Sequence, residues 1–184
     1  MRLRGKQKMK EEYFDVYDAQ GNHIGTAPRR VCHGDPKLIH RTAHVVVIHP
    51  ETGFVLLQKR AITKDIQPGK WDTAVGGHLA LGESFEEGAK RELAEELGVT
   101  DAPVLKFLFD SKIRNEIESE DTRVFALYRA GGFRFQESEI DEIRFWPPEK
   151  LFAPRERENF TPNLCAELDK LRELGIVRGG TKTF

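Results

Sequence analysis

Between Gly77 and Val99 the chain reads GHLALGESFEEGAKRELAEELGV, a stretch that allows little besides a capped helix entered from a glycine turn. Ser84 followed by Glu87 makes a capping box, in which a hydroxyl and a carboxylate satisfy free backbone N–H groups at a helix start. Gly98 supplies the left-handed stop that ends many helices. Phe85, Ala89, Leu93 and Leu97 recur every fourth position and predict one apolar stripe for a core. Glu92 and Glu96 then stand one turn apart, with Glu95 on the adjoining edge, so three carboxylates crowd one flank. Like charges at that spacing repel and weaken an isolated helix unless a cation neutralises them. Magnesium commonly combines one or two carboxylates with waters and substrate phosphates. Three glutamates alone are more often the mark of a solvated, salt-bridged helix face.

The rest of the chain narrows the function classes. Its 184 residues fit one domain over 12–184, preceded by a disordered basic lead-in at 1–11. A net charge of −1 gives no electrostatic basis for binding a nucleic acid polymer or a membrane. Cys32 and Cys165 are too few for a disulfide framework, no apolar run reaches membrane-spanning length and the start lacks the apolar segment of a signal peptide. A reducing cytoplasm is the expected compartment.

Patterning predicts an N-terminal hairpin over 13–28 and strands at 44–48, 54–58, 71–77, 104–110, 121–128 and 142–147. The stretches 29–40 and 111–120 are too polar for a confident element, the second reading as a connection. Leu164, Leu168 and Leu171 mark an amphipathic C-terminal helix over 162–174. Mixed strands with two good helices imply an α/β (α+β) fold, a mixed sheet between helical layers. Trp71, Phe109, Phe125 and Trp146 have faces on which a base can stack, although aromatics at strand positions mostly fill cores.

The spacing from Gly77 to Val99 matches G-x5-E-x7-R-E-U-x-E-E-x-G-U, with U aliphatic, at every specified position. At roughly 6% usage per fixed residue, a chain of this length matches by accident roughly once in ten million. On these residues the sequence resembles the Nudix family. The resemblance implies an α/β/α sandwich, magnesium or manganese, and hydrolysis of a diphosphate linked to another moiety. It implies that Glu92, Glu95 and Glu96 hold metal or activate water, and that Glu83 and Arg91 pair to fix the loop against the helix. Members are often homodimers, which makes a second copy of the chain an expected partner beside the small-molecule diphosphate.

A closer resemblance covers most of Arg29 to Tyr128. His33-x6-His40, QKRAITK at 58–64, PGKW at 68–71, Gly77-His78 and Glu118-Ser119-Glu120 are similar to the type I isopentenyl diphosphate isomerases. That likeness implies that His33, His40, His78, Glu118 and Glu120 surround a second divalent metal, and that Arg60 and Lys64 contact the diphosphate. An arginine fork and a lysine point charge suit phosphate oxygens. Read without the resemblance, loop histidines are mostly solvent-facing, and Arg60 and Lys64 fit a solvated strand edge equally well.

The departures separate two reactions. The isomerases use a cysteine immediately before the Gly-His pair to move a proton on an alkene, and here Gly76 offers no such group. They also tend to carry a degraded acidic motif, which is complete here. The expected activity is therefore metal-dependent hydrolysis of a diphosphate in a nucleoside diphosphate derivative or related compound. Glu92 and Glu96 are expected to ligate metal, Glu95 to ligate or polarise water, and Glu118 or Glu120 to add a ligand or general base. Alkene isomerisation, and a binding module that has lost its chemistry, are the alternatives.

Overall fold

Strand β3 (Ile39–Ile48) is the axis of the molecule, because its two faces are apolar over the second half of its length and each requires a cover. In the computed structural model, which describes residues 11–64 and 66–178, the chain order is β1 (Tyr13–Tyr17), β2 (His23–Pro28), α1 (Arg29–Cys32), β3, β4 (Val55–Arg60), β5 (Trp71–Thr73) and β6 (Val75–His78). There follow α2 (Phe85–Leu97), β7 (Lys106–Arg114), β8 (Ser119–Tyr128), β9 (Ile140–Trp146), α3 (Pro148–Leu151), α4 (Pro154–Arg157) and α5 (Pro162–Glu173). The expected lead-in, apart from Glu11, lies outside the described residues.

Alternation along β3 assigns the covers. Ala43, Val45 and Val47 meet Ala89, Leu93 and Leu97 of α2 in one core. Val46 and Ile48 point the other way and meet Leu164, Leu168 and Leu171 of α5 in a second core. The fold is thus a mixed α+β arrangement in which a nine-stranded sheet lies between helices. Trp71, Trp146 and Phe109 fill the α5-side core and Phe125 the α2-side core, the fate of most strand aromatics.

The sheet divides where the site lies. Consecutive strands β5 and β6 are separated by Ala74 alone, yet β5 pairs with β4 and β6 pairs with β3. Direct pairing between β3 and β4 is confined to Val47↔Leu56 and Ile48↔Val55. On its other side β3 runs parallel to β8 over all ten residues, from Ile39↔Ser119 to Ile48↔Tyr128.

Two stretches depart from the expected pattern. The polar connection expected over 111–120 is mostly strand, since β7 extends to Arg114 and β8 begins at Ser119. Opposite charges pair across those strands, Asp110 with Arg123 at 2.7 Å and Arg114 with Asp121 at 2.5 Å, and of these only Arg114 falls in the expected connection. Over 29–40, α1 and the start of β3 take up residues left without an element.

Candidate metal and diphosphate site

The carboxylate edge begins with a well-fixed helix. Ser84 accepts from Glu87 N at 3.3 Å while the Glu87 carboxylate accepts from Ser84 N at 2.9 Å, and Gly98 closes the helix at φ 67°. Arg91 ties this helix to the preceding loop. Its guanidinium donates to both Glu83 oxygens at 2.9 and 3.0 Å and to the His78 carbonyl at 2.8 Å. The remaining nitrogen reaches Glu92 at 2.8 Å and the exposed Glu95 at 3.2 Å.

Glu92 leans over β6 because position 77 has no side chain. A Cβ on Gly77 would stand 2.1 Å from the Glu92 carboxyl carbon. Burial raises the proton affinity of Glu92, with Arg91 opposing. Glu96 is pushed up to about 8, first by burial and then by the charge of Glu92. Gln58 Nε2 donates to Glu96 at 3.2 Å, and no basic side chain among the described residues forms a salt bridge with it.

A second cluster lies across the same cavity. His40 on β3, His78 on β6, Glu120 on β8 and His33, which follows α1, each place one ligand atom within 4.8 Å of the others. The register makes the cluster: Thr42 pairs with His78 and His40 with Glu120, so these side chains share one face. Phe14 stacks on His78 and His40 with ring centroids 4.4 and 5.2 Å apart.

His40 is fully buried, and its Nδ1 faces the Leu38 carbonyl at 3.3 Å, an acceptor that places a proton on Nδ1. The Nε2 of the same ring lies 3.4 Å from Glu120 Oε1 but has no hydrogen-bond partner among the described residues. His33 Nε2 and His78 Nε2 stand 3.0 Å apart, and His78 Nε2 is 3.2 Å from Glu120. At a metal–nitrogen bond of about 2.1 Å, adjacent ligand atoms are separated by about 3.0 to 3.4 Å. A divalent ion therefore fits the donor set and satisfies the orphaned nitrogen. Burial pulls His33 down to about 4 and His78 below its usual value, keeping both rings neutral. Burial works to raise Glu120, but His40 and His78 outweigh it and hold the carboxylate well below its usual range.

Glu92, Glu95, Glu96, Arg60, Lys64 and Glu118 line one cavity of about 860 Å³ together with His33, His78 and Glu120, while His40 lies buried behind them. Arg60 donates to Asp72 at 3.2 Å and Lys64 pairs with Glu139. Glu118 lies near the histidines but outside the four-residue group, its carboxylate facing Asn115 at 3.5 Å. Phe109 alone of the four aromatics singled out reaches the cavity.

Sequence reasoning missed Gln58, Asp72, Glu139, His44 and Glu167, which also line it. Two of these carried a readable signal. His44 follows His40 by two strand repeats, hence on the same face. Glu167 interrupts the apolar face of α5, where an acid requires a partner.

Comparison with known proteins identifies the fold and the family. The NUDIX domain model matches residues 38–167. An uncharacterized Nudix hydrolase of Yersinia pestis is 35% identical over 156 residues, covering 83% of this chain and 81% of that protein. Among solved structures, DR0079 from Deinococcus radiodurans superposes with a TM-score of 0.72 at 23% identity, covering 86% of this chain and 98% of that one. The NUDIX domain of Shewanella oneidensis NrtR, in complex with ADP ribose, gives 0.59 at 20% identity over 75% of this chain and 89% of that one. The structural likenesses speak for the fold; together with the domain match and the Yersinia relative, they make this chain a member of the Nudix hydrolase family.

Proposed function

We propose that the protein uses a divalent cation, magnesium or manganese, to cleave the P–O–P bond of a small-molecule diphosphate, as a member of the isopentenyl diphosphate isomerase-like subgroup. The observation that carries this reading is Glu96. A buried acid pushed up to about 8, with no salt bridge among the described residues, shares a cavity with Glu92, Arg60 and Lys64. Such an acid favours a bound cation over a bare carboxylate.

Glu92, Glu95 and Glu96 would hold the magnesium or manganese, and His33, His40, His78 and Glu120 a second divalent ion, with Glu118 in reach as a further ligand. A bound divalent ion neutralises phosphate charge and makes water a stronger nucleophile. Arg60 and Lys64 would exchange Asp72 and Glu139 for phosphate oxygens. Gly76 and Gly77 keep the backbone low beneath the diphosphate, and Arg91 keeps Glu92 aimed at it. Of the acids, Glu120, held ionised, suits ligation, and Glu118 lines the same cavity as a candidate general base.

Isomerisation is opposed at Gly76. A Cβ there would stand 3.1 Å from the His44 ring, which would have to give by a few tenths of an ångström to admit the cysteine that isomerisation uses. A metal-dependent hydrolysis screen over ADP-ribose, nucleotide sugars, dinucleoside polyphosphates and prenyl diphosphates tests the proposal. Conversion of isopentenyl to dimethylallyl diphosphate, with no cleavage of any compound in the panel, would overturn it.

A further inference from the structure

A second acid–imidazole pair stands on β3 beyond the histidine cluster. His44 Nδ1 lies 2.8 Å from Glu167 Oε2 on α5, and both side chains are largely buried, at 14% and 7% exposure. A carboxylate at that distance keeps the proton on Nδ1 and fixes the ring plane. Burial opposes a charged ring, but the hydrogen bond and charge of Glu167, with help from Asp72 and Glu120, push His44 up to about 9. The opposite ring edge, Cδ2 and Nε2, covers Gly76, where an added Cβ would come within 3.1 and 3.2 Å of those atoms. Nε2 makes no hydrogen bond among the described residues, and His44 lines the cavity that holds Glu92, Glu96, Arg60 and Lys64.

A tether between α5 and the sheet does not account for this arrangement. Thr161 N already donates to the Trp71 carbonyl at 2.9 Å, and Leu164, Leu168 and Leu171 supply the apolar contact. Breaking even into a buried ion pair is hard when packing alone suffices, because both charges must be desolvated. Arg60 and Lys64 each face a carboxylate already, whereas the Nε2–H of His44 has no internal competitor.

We propose that His44 is an anion-binding residue that donates its Nε2–H to an oxygen of the substrate diphosphate, with Glu167 as its positioning residue. This rests on the diphosphate reading above. His44 acts as a hydrogen-bond donor and keeps its proton, since phosphate oxygens near neutral pH are too weakly basic to remove it.

Calorimetric titration of the magnesium-loaded full chain with methylenediphosphonate, a diphosphate that cannot be hydrolysed, tests the assignment. His44→Phe keeps the ring volume without a donor and is expected to weaken binding about tenfold to a hundredfold. Glu167→Gln is expected to weaken it less and to remove the doubly protonated ring from the imidazole ¹⁵N spectrum at pH 7.5. In the unaltered protein, the His44 Nε2 resonance is expected to shift as ligand saturates, a readout that holds even where a variant fails to fold. A folded His44→Phe variant binding within twofold of the unaltered protein, or an Nε2 resonance unmoved at saturation, would overturn the role of His44 alone. An unaltered protein that binds no methylenediphosphonate would remove the diphosphate reading and this inference together.

Discussion

The carboxylate edge of α2 and the histidine cluster face one cavity but are built in opposite ways. The edge comes from a single helix, with Glu92 and Glu96 one turn apart and the proton affinity of both raised. The cluster comes from three strands and a loop spanning 88 residue numbers, and within it His33 and His78 are held neutral and Glu120 ionised, the states that ligation needs. The edge thus waits for a cation to relieve repulsion, while the cluster waits for one to fill a socket. Local chemistry produced the first; strand register produced the second.

The sharpest break of this comparison is Glu96→Gln, which keeps the side-chain volume and loses the ionisable group. Turnover at saturating magnesium is expected to fall by about a hundredfold or more, the scale of losing a positioned acid–base group. Near-normal steady-state rates would remove Glu96 from the chemistry. His40→Ala comes next. It deletes the ring with the orphaned nitrogen and is expected to lower the affinity of a second ion by about tenfold to a hundredfold. Metal content after dialysis, measured by atomic emission, checks this, and an equal loss of the same ion in Glu96→Gln would merge the two regions into one site.

The smallest effect is in pH-dependent stability without metal. Glu96 is raised, so its contribution is present below its unfolded value near 4.5 and is lost as pH climbs towards about 8. His33 is lowered, so its contribution is present above its unfolded value near 6.5 and is lost as pH falls towards about 4. The two slopes have opposite signs and offset each other between pH 4.5 and 6.5, each limited to about 1.4 kcal/mol per pH unit. Denaturant titrations of the metal-free protein are expected to show Glu96→Gln making the decline between pH 6.5 and 8 shallower, leaving the part contributed by His44, which is also raised, to about 9. A decline of unchanged steepness in that variant would assign it to another group.

How much could be read beforehand follows the same division. Ser84, Glu87, Gly98 and the Phe85–Leu97 stripe each act within a turn or two, so α2 and its acidic edge were legible residue by residue. His33, His40, His78 and Glu120 could be singled out by likeness, but their meeting depends on β3 pairing with both β6 and β8, which no local pattern encodes. The strand residues 111–114 and 119–120 read as loop for a related reason: the charge of Arg114 is compensated by Asp121 on the other strand. His44 sat inside an apolar run and read as one more strand residue until Glu167 was seen beside it.

The lone residue between β5 and β6 sets a length that evolution cannot easily alter. Side chains alternate along a strand, so one inserted residue after Ala74 would invert every direction from Val75 to His78 while leaving β5 undisturbed. The imidazole of His78 would leave its three companions, and a substituent other than hydrogen would arrive where the Glu92 carboxylate lies. Drift in this segment is therefore expected to proceed by exchange of residues, and insertions or deletions to collect in the turns farther from the cavity.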